Sequence, residues 1–250
     1  MDANKDQTSI LGNAKPSQAI VKLALPATLA LLAKAVYNIV DTAYIGMLGS
    51  DIALTAVGVT VPLLLIMVSI ENIFAAGAAV LAGRQLGAKD EEGASRTVTT
   101  IIGLSIVIGA VLCVGGIVFI EPLMRAFGAS DASLSLAEDY AFWMFVAALA
   151  NLPAQSMNCA ARAESSVKIS SIAVITGALL NVVLDPIFMF DWGLGMGVEG
   201  ASLATTVSQF VTFFILAWFY LSGRSVIKLH LGSFRPSWKL IKTVTVIGVP

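Results

Sequence analysis

Histidine appears once in this 250-residue chain and cysteine twice, and Asp, Glu, Lys and Arg together make up only 12% of it. Each scarcity excludes something. The single histidine, His230, has no His-Glu-x-x-His run and no triad companions, which removes the usual signatures of a metalloprotease or hydrolase. No Gly-x-x-x-x-Gly-Lys-Ser/Thr run occurs, which argues against ATP hydrolysis, so no enzymatic activity is expected. Cys113 and Cys159 lie in apolar stretches, where reduced packing thiols are expected rather than a disulfide framework. A formal net charge of -1 leaves no basic surplus for nucleic acid. No small-residue cleavage site accompanies the first apolar segment, which is also too long for a removable signal peptide.

What is present is hydrophobic length. Apolar residues make up 57% of the chain and the mean hydropathy is +0.87. A bilayer core needs about 20 mostly apolar residues per helix. Six segments qualify: 19–45, 52–82, 98–120, 134–160, 167–190 and 198–221. Lipid satisfies no backbone hydrogen bonds, and these runs are too long and continuous for barrel strands, so an all-α membrane protein is expected.

Thirteen Lys and Arg residues fall on the N-terminal side of these spans, including Lys5, Lys15, Arg84, Arg96, Arg162 and Arg235, against Arg125 alone on the other. That bias places the N-terminus in the cytoplasm, and topology alone accounts for those basic residues. The expected organisation is a six-helix lobe over 1–222, opening with a cytoplasmic segment 1–18, then a cytoplasmic linker 223–242. An apolar run, 243–250, follows and is expected to begin a seventh span that has been cut off. Lys22 to Pro26 and, more loosely, Lys242 to Pro250 share a lysine, an apolar run and a proline, as if a second six-helix bundle began there.

Ionisable groups inside the spans are few: Lys34, Asp41, Glu71 and Asp185. A charge at that depth is costly and is functional by default. Asn181 and Asp185 share a helix face at i, i+4, with Pro186 loosening the backbone behind them, while Tyr37 and Asn38 precede Asp41 by four and three residues. Each carboxylate is thus expected to have an amide neighbour. Such a pair can load a proton as access alternates, or ligate a bare cation through oxygen; both readings stand. The bland alternative places Asp41 and Asp185 at the solvated outer interface. Lys34 and Glu71 are expected either to neutralise each other across the first two spans, to set substrate charge preference, or to line a cytoplasmic funnel. Asn151, Gln155 and Asn158 form a polar stripe beside Pro153, and Ser202, Thr205 and Gln209 form another; interhelical bonding or cavity lining explains each. Gly103, Gly109, Gly115 and Gly116 read as close helix packing.

The runs Tyr37 to Gly46, Gly83 to Asp90, Asn181 to Pro186 and Gly197 to Thr205 resemble the multidrug and toxic compound extrusion (MATE) family, in its bacterial multidrug branch. The resemblance spans all six helices in order. It implies a twelve-helix inner-membrane antiporter of two six-helix lobes, exporting cationic amphipathic compounds against protons or sodium ions, with this chain as the N-terminal lobe. By the same resemblance Asp41, Asn181, Asp185 and Thr205 form the cation site, holding a proton or sodium with no other cofactor, and Pro26 bends the first helix. Lys34 and Glu71 depart from the family, where small, apolar or amide residues are expected.

Two rivals remain. A lipid-linked precursor flippase of the same superfamily would want a cavity lined by arginines for pyrophosphate, and no expected span contains an arginine. A membrane scaffold would explain the apolar spans but not the paired Asn and Asp.

Overall fold

Polar caps divide the apolar sequence into helices. Ser50 accepts a hydrogen bond from the Ala53 amide at 3.2 Å and Asp90 accepts one from the Gly93 amide at 2.8 Å, each ending one short turn and opening the next helix. The computed structural model describes the backbone of residues 16–229 and 237–248. In order the helices are α1 (Pro16–Met47), α2 (Asp51–Gly87), α3 (Glu91–Val118), α4 (Ile120–Ala126), α5 (Leu134–Ala163), α6 (Val167–Met189), α7 (Val198–Leu221) and α8 (Trp238–Gly248). No strand occurs among the described residues. Lys5, Lys15, His230, Arg235 and Pro250 lie outside the described residues.

Five of the helices, α1, α2, α3, α6 and α7, are long and apolar enough to cross a membrane on composition alone. The expected fourth span, α5, runs 30 residues, about 45 Å at 1.5 Å per residue, and falls short only in hydropathy. Its position explains this: α5 packs against α2, α3 and α7 at the centre of the bundle, where its polar side chains meet protein instead of lipid. Outward-facing positions such as Leu65, Val111, Val114 and Leu179 are apolar and exposed, as a lipid-facing surface requires.

The helices depart from the expected boundaries at several ends, and three of these differences bear on the fold. The third span ends at Val118, and Ile120 starts the separate helix α4. The fourth continues past Ala160 to Ala163, because packing on its neighbours sustains a helix that hydropathy would end. Residues 238–242, assigned to the linker, are the first turn of α8. That helix lies on α2, with the Val244 carbonyl against Gly77 and Gly248 against the Ile73 carbonyl.

Small residues set the helix spacing. A Cβ on Gly109 would come within 2.7 Å of the Ala148 carbonyl oxygen, so α3 and α5 touch backbone to backbone there. Gly116 likewise faces the Phe145 ring, whereas Gly115 faces open space and takes no part in this packing. The strand of chain after α7 is tied down by Glu164, whose Oε2 accepts from Ser225 Oγ at 2.7 Å and from the Ile227 amide at 3.1 Å. Burial pushes the Glu164 carboxyl above its ordinary range, against these hydrogen bonds, which act the other way.

Candidate functional site

Two polar clusters lie along a seam between α1 and the rest of the bundle. α1 packs chiefly on α6 and touches α2 and α7 only slightly, so its inner face is left lining open space. A cavity of about 300 Å³ is bounded by Ala27, Ala30, Leu31, Lys34 and Tyr37 of α1 together with α5, α6 and α7. A second, of about 180 Å³, lies among α1, α2, α5 and α7 and shares Lys34, Tyr37, Asn151, Thr205 and Gln209 with the first.

The first cluster holds Asn181, Asp185 and Thr205. The Asn181 amide nitrogen donates to Asp185 Oδ1 at 2.9 Å along α6, and lies 3.1 Å from Thr205 Oγ1 of α7, to which it also donates. Gly177, one turn before Asn181, permits this approach: a Cβ there would meet the Thr212 hydroxyl and lie 3.2 Å from the Ser208 carbonyl oxygen. Pro186 lacks the N–H that would bond the residue 182 carbonyl, so α6 is loosened beside Asp185. Asp41 lies close enough to Asp185 for Asp185 to feel its charge, and Tyr140 of α5 feels both carboxylates.

Three acceptors in this cluster are buried without a hydrogen-bond partner among the described residues: Asp41 Oδ1, Asn181 Oδ1 and Asp185 Oδ2. Buried oxygens of this kind carry a desolvation cost unless something positive meets them. The donor set is hard oxygen, suited to a proton or to a small cation such as sodium. Asp185 is 0% exposed, which rules out the solvated-interface alternative for it. Neither Asp41 nor Asp185 lines either of these two cavities, whereas Tyr37, Asn181 and Thr205 line the larger one.

The second cluster adds a partner that sequence spacing did not offer. Glu71 is buried, and its Oε1 accepts a hydrogen bond from the Asn151 amide, a partner 80 residues away. Lys34 acts on Glu71 electrostatically, but no ion pair within 4 Å joins them among the described residues. Glu71 is therefore held by an amide, and Lys34 lines both cavities. Asn38 also differs from expectation. It is exposed and lines the second cavity, and no described hydrogen bond joins its amide to Asp41, so only Asp185 has the amide neighbour expected of both.

The remaining candidates divide. Gln155 and Gln209 line the larger cavity, and Gln155 approaches Asn72 only at 3.5 Å. Asn158 is occupied, accepting from Ser170 Oγ and from Arg162 Nη1, the latter at 2.9 Å. The Ser202 hydroxyl donates to the Glu199 carbonyl at 3.0 Å within its own helix, though the residue lines the second cavity. Pro26 lies inside α1, just before the cavity wall begins at Ala27. Sequence reasoning missed Tyr140, Asn151 as the partner of Glu71, and Arg162. The statement that no span contains an arginine fails, because α5 runs through Arg162, which lines the larger cavity.

The MatE family model matches residues 26–187. A multidrug export protein, MepA of Staphylococcus aureus, is 26% identical over 233 residues, covering 93% of this chain and 51% of its own length. The fold matches an outward-facing multidrug resistance MATE family transporter with a TM-score of 0.85 at 29% identity, covering 94% of this chain and 52% of that one. It also matches a MOP superfamily transporter from Pyrococcus furiosus, for which a reversed pocket polarity suggests a different function, with a TM-score of 0.86 at 29% identity, covering 96% and 53%. The chain spans about half the length of the curated relatives it matches.

Proposed function

The chain belongs to the MatE family, and from that membership we propose that it works as the N-terminal lobe of a secondary active multidrug exporter, paired with a second lobe. It is a multi-pass membrane protein and a transporter, not an enzyme. The proposed reaction exports cationic amphipathic compounds from the cytoplasm in exchange for protons or sodium ions, with the N-terminus of the chain on the cytoplasmic side.

One observation carries this reading: the unpartnered oxygens of Asp41, Asn181 and Asp185 are buried together at one seam of the lobe. In the proposed cycle the coupling ion enters here and neutralises the cluster. Asp41 belongs to α1, the least tightly packed of the long helices, and Pro26 gives that helix a point at which to bend. Loading the site pulls Asp41 towards α6, shifts α1 and narrows the cavity its inner face lines, which favours substrate release. Substrate and ion then oppose each other's binding by the same factor, as linkage requires.

The test is efflux by the complete protein in everted vesicles energised by an imposed proton or sodium gradient. Asp41→Asn and Asp185→Asn are each expected to abolish gradient-driven efflux; undiminished efflux in both variants would reject the proposed roles.

The flippase reading gains from Arg162 in the cavity wall, yet among the described residues Lys34 and Arg162 are the only cations lining it, and amides and hydroxyls supply the rest of its polar surface. A pyrophosphate would find few charges to pair with there.

A further inference from the structure

The last two turns of α7 carry an exposed apolar stripe. Phe214, Trp218 and Leu221 follow one another at i, i+4 and i+7 and are 61%, 54% and 76% exposed. At 3.6 residues per turn this stripe lies about half a turn round the helix from Thr205, Ser208, Gln209 and Thr212, which line the larger cavity. It therefore turns away from the cavity and towards the bilayer, where apolar exposure is stable.

Directly beyond the stripe stands a charge. The Arg224 guanidinium lies over the Trp218 ring, 4.5 Å from its centroid. Its backbone is fixed on both sides. Before it, the Ser222 amide donates to the Trp218 carbonyl at 2.8 Å, and Gly223 turns the chain with a φ of +72°, which suits glycine. After it, Ser225 and Ile227 are buried and both donate to the Glu164 carboxylate, while the Lys228 amide donates to Ser95 Oγ at 3.0 Å. Arg224 itself is exposed. An arginine is thus preorganised where a lipid-facing surface ends. Tryptophan marks that depth in membrane proteins, and a guanidinium matches the oxygens of a phosphate in shape as well as charge.

We propose that the end of α7 binds an anionic phospholipid of the cytoplasmic leaflet, with Arg224 on the phosphate and Phe214, Trp218 and Leu221 along an acyl chain. The choice of leaflet rests on the topology proposed above; the site itself rests on the geometry of α7. Bound there, the lipid touches the stretch of chain that Glu164 ties to α5. Arg224 also offsets the partial negative charge of the α7 C-terminus, a role that needs no lipid and predicts no lipid preference.

The test is fluorescence quenching in the complete protein, reconstituted in phosphatidylcholine vesicles that contain a fixed share of either phosphatidylglycerol or phosphatidylcholine brominated on one acyl chain. The Trp218 signal is the difference between each protein and the same protein carrying Trp218→Phe. Brominated phosphatidylglycerol is expected to occupy the site about fivefold more readily than brominated phosphatidylcholine, as one basic contact at a membrane surface gives. Salt should shrink that preference. In Arg224→Gln it is expected to fall to about one, with quenching by phosphatidylcholine retained because Trp218 still faces lipid. Arg224→Lys should keep part of it, and Lys89→Gln, a basic residue on the same side of the lobe, all of it. Equal quenching by the two lipids, quenching by neither, or a preference lowered as much by Lys89→Gln as by Arg224→Gln would overturn the lipid site. None of these measurements involves substrate or coupling ion, so the transport reading is decided separately by the efflux experiment above.

Discussion

Asn181 gives one amide hydrogen to Asp185, four residues along the same helix, and its own oxygen is buried with no partner among the described residues. The amide thereby engages one carboxylate oxygen, while the other, Asp185 Oδ2, is buried without a partner among the described residues. Replacing it with leucine removes both the donor and the third acceptor. We expect Asn181→Leu to weaken coupling-ion affinity by about 10- to 100-fold, the worth of a lost hydrogen bond to a charged group. The ion concentration that half-activates efflux measures it.

Glu71 and Asn151 are expected to behave as one unit. Asn151→Leu strips a buried carboxylate of its donor and should destabilise the lobe by about 3 kcal/mol or more. Glu71→Leu in the same chain removes the stranded charge and should recover most of the loss. A double-mutant cycle by thermal or denaturant unfolding in detergent checks this, with a coupling energy of at least about 1 kcal/mol expected. Pairing Lys34 with Glu71 in the same cycle should give a smaller coupling, since no ion pair within 4 Å links them among the described residues.

The Glu164 latch has a pH signature. Its carboxyl titrates above the ordinary value of 4.5 when folded, because burial disfavours the charged form. The folded state therefore binds the proton more tightly than the unfolded chain. This group's contribution is greatest below the unfolded pKa and declines as pH rises from there through the folded pKa. Subtracting the stability of Glu164→Gln from that of the wild type, across pH, should show a falling curve that flattens at high pH.

Helix spacing at the site can be probed directly. Gly177→Val places a branched side chain where the Thr212 hydroxyl and the Ser208 carbonyl already sit. A loss of about 1–3 kcal/mol in unfolding free energy is expected from such overpacking. Gly115→Val, facing open space, serves as the matched control and should cost little beyond its helix propensity.

The difference between what was legible in the sequence and what was not follows from range. Asn181 and Asp185 are four apart, so helix geometry alone put them on one face, and their bond is a local one. Thr205 joined them only through the family resemblance. Glu71 found Asn151 across 80 residues, a pairing no local spacing encodes, while Lys34 acts on it through charge alone, with no ion pair within 4 Å among the described residues. Arg162 was hidden for a different reason. Hydropathy ends a span where polarity begins, yet α5 is a central helix whose polar end is supported by α6 and the chain beyond α7. Asp41 had an amide three residues away in Asn38, but one that faces the second cavity.

The most direct test follows the ion itself. Substrate is added to the purified complete protein in weakly buffered solution, and released protons are read with a pH indicator or released sodium with a radiotracer. Binding is expected to expel one of these ions from the wild type and none from the Asp41→Asn, Asp185→Asn double variant. Equal release from both proteins would contradict the account.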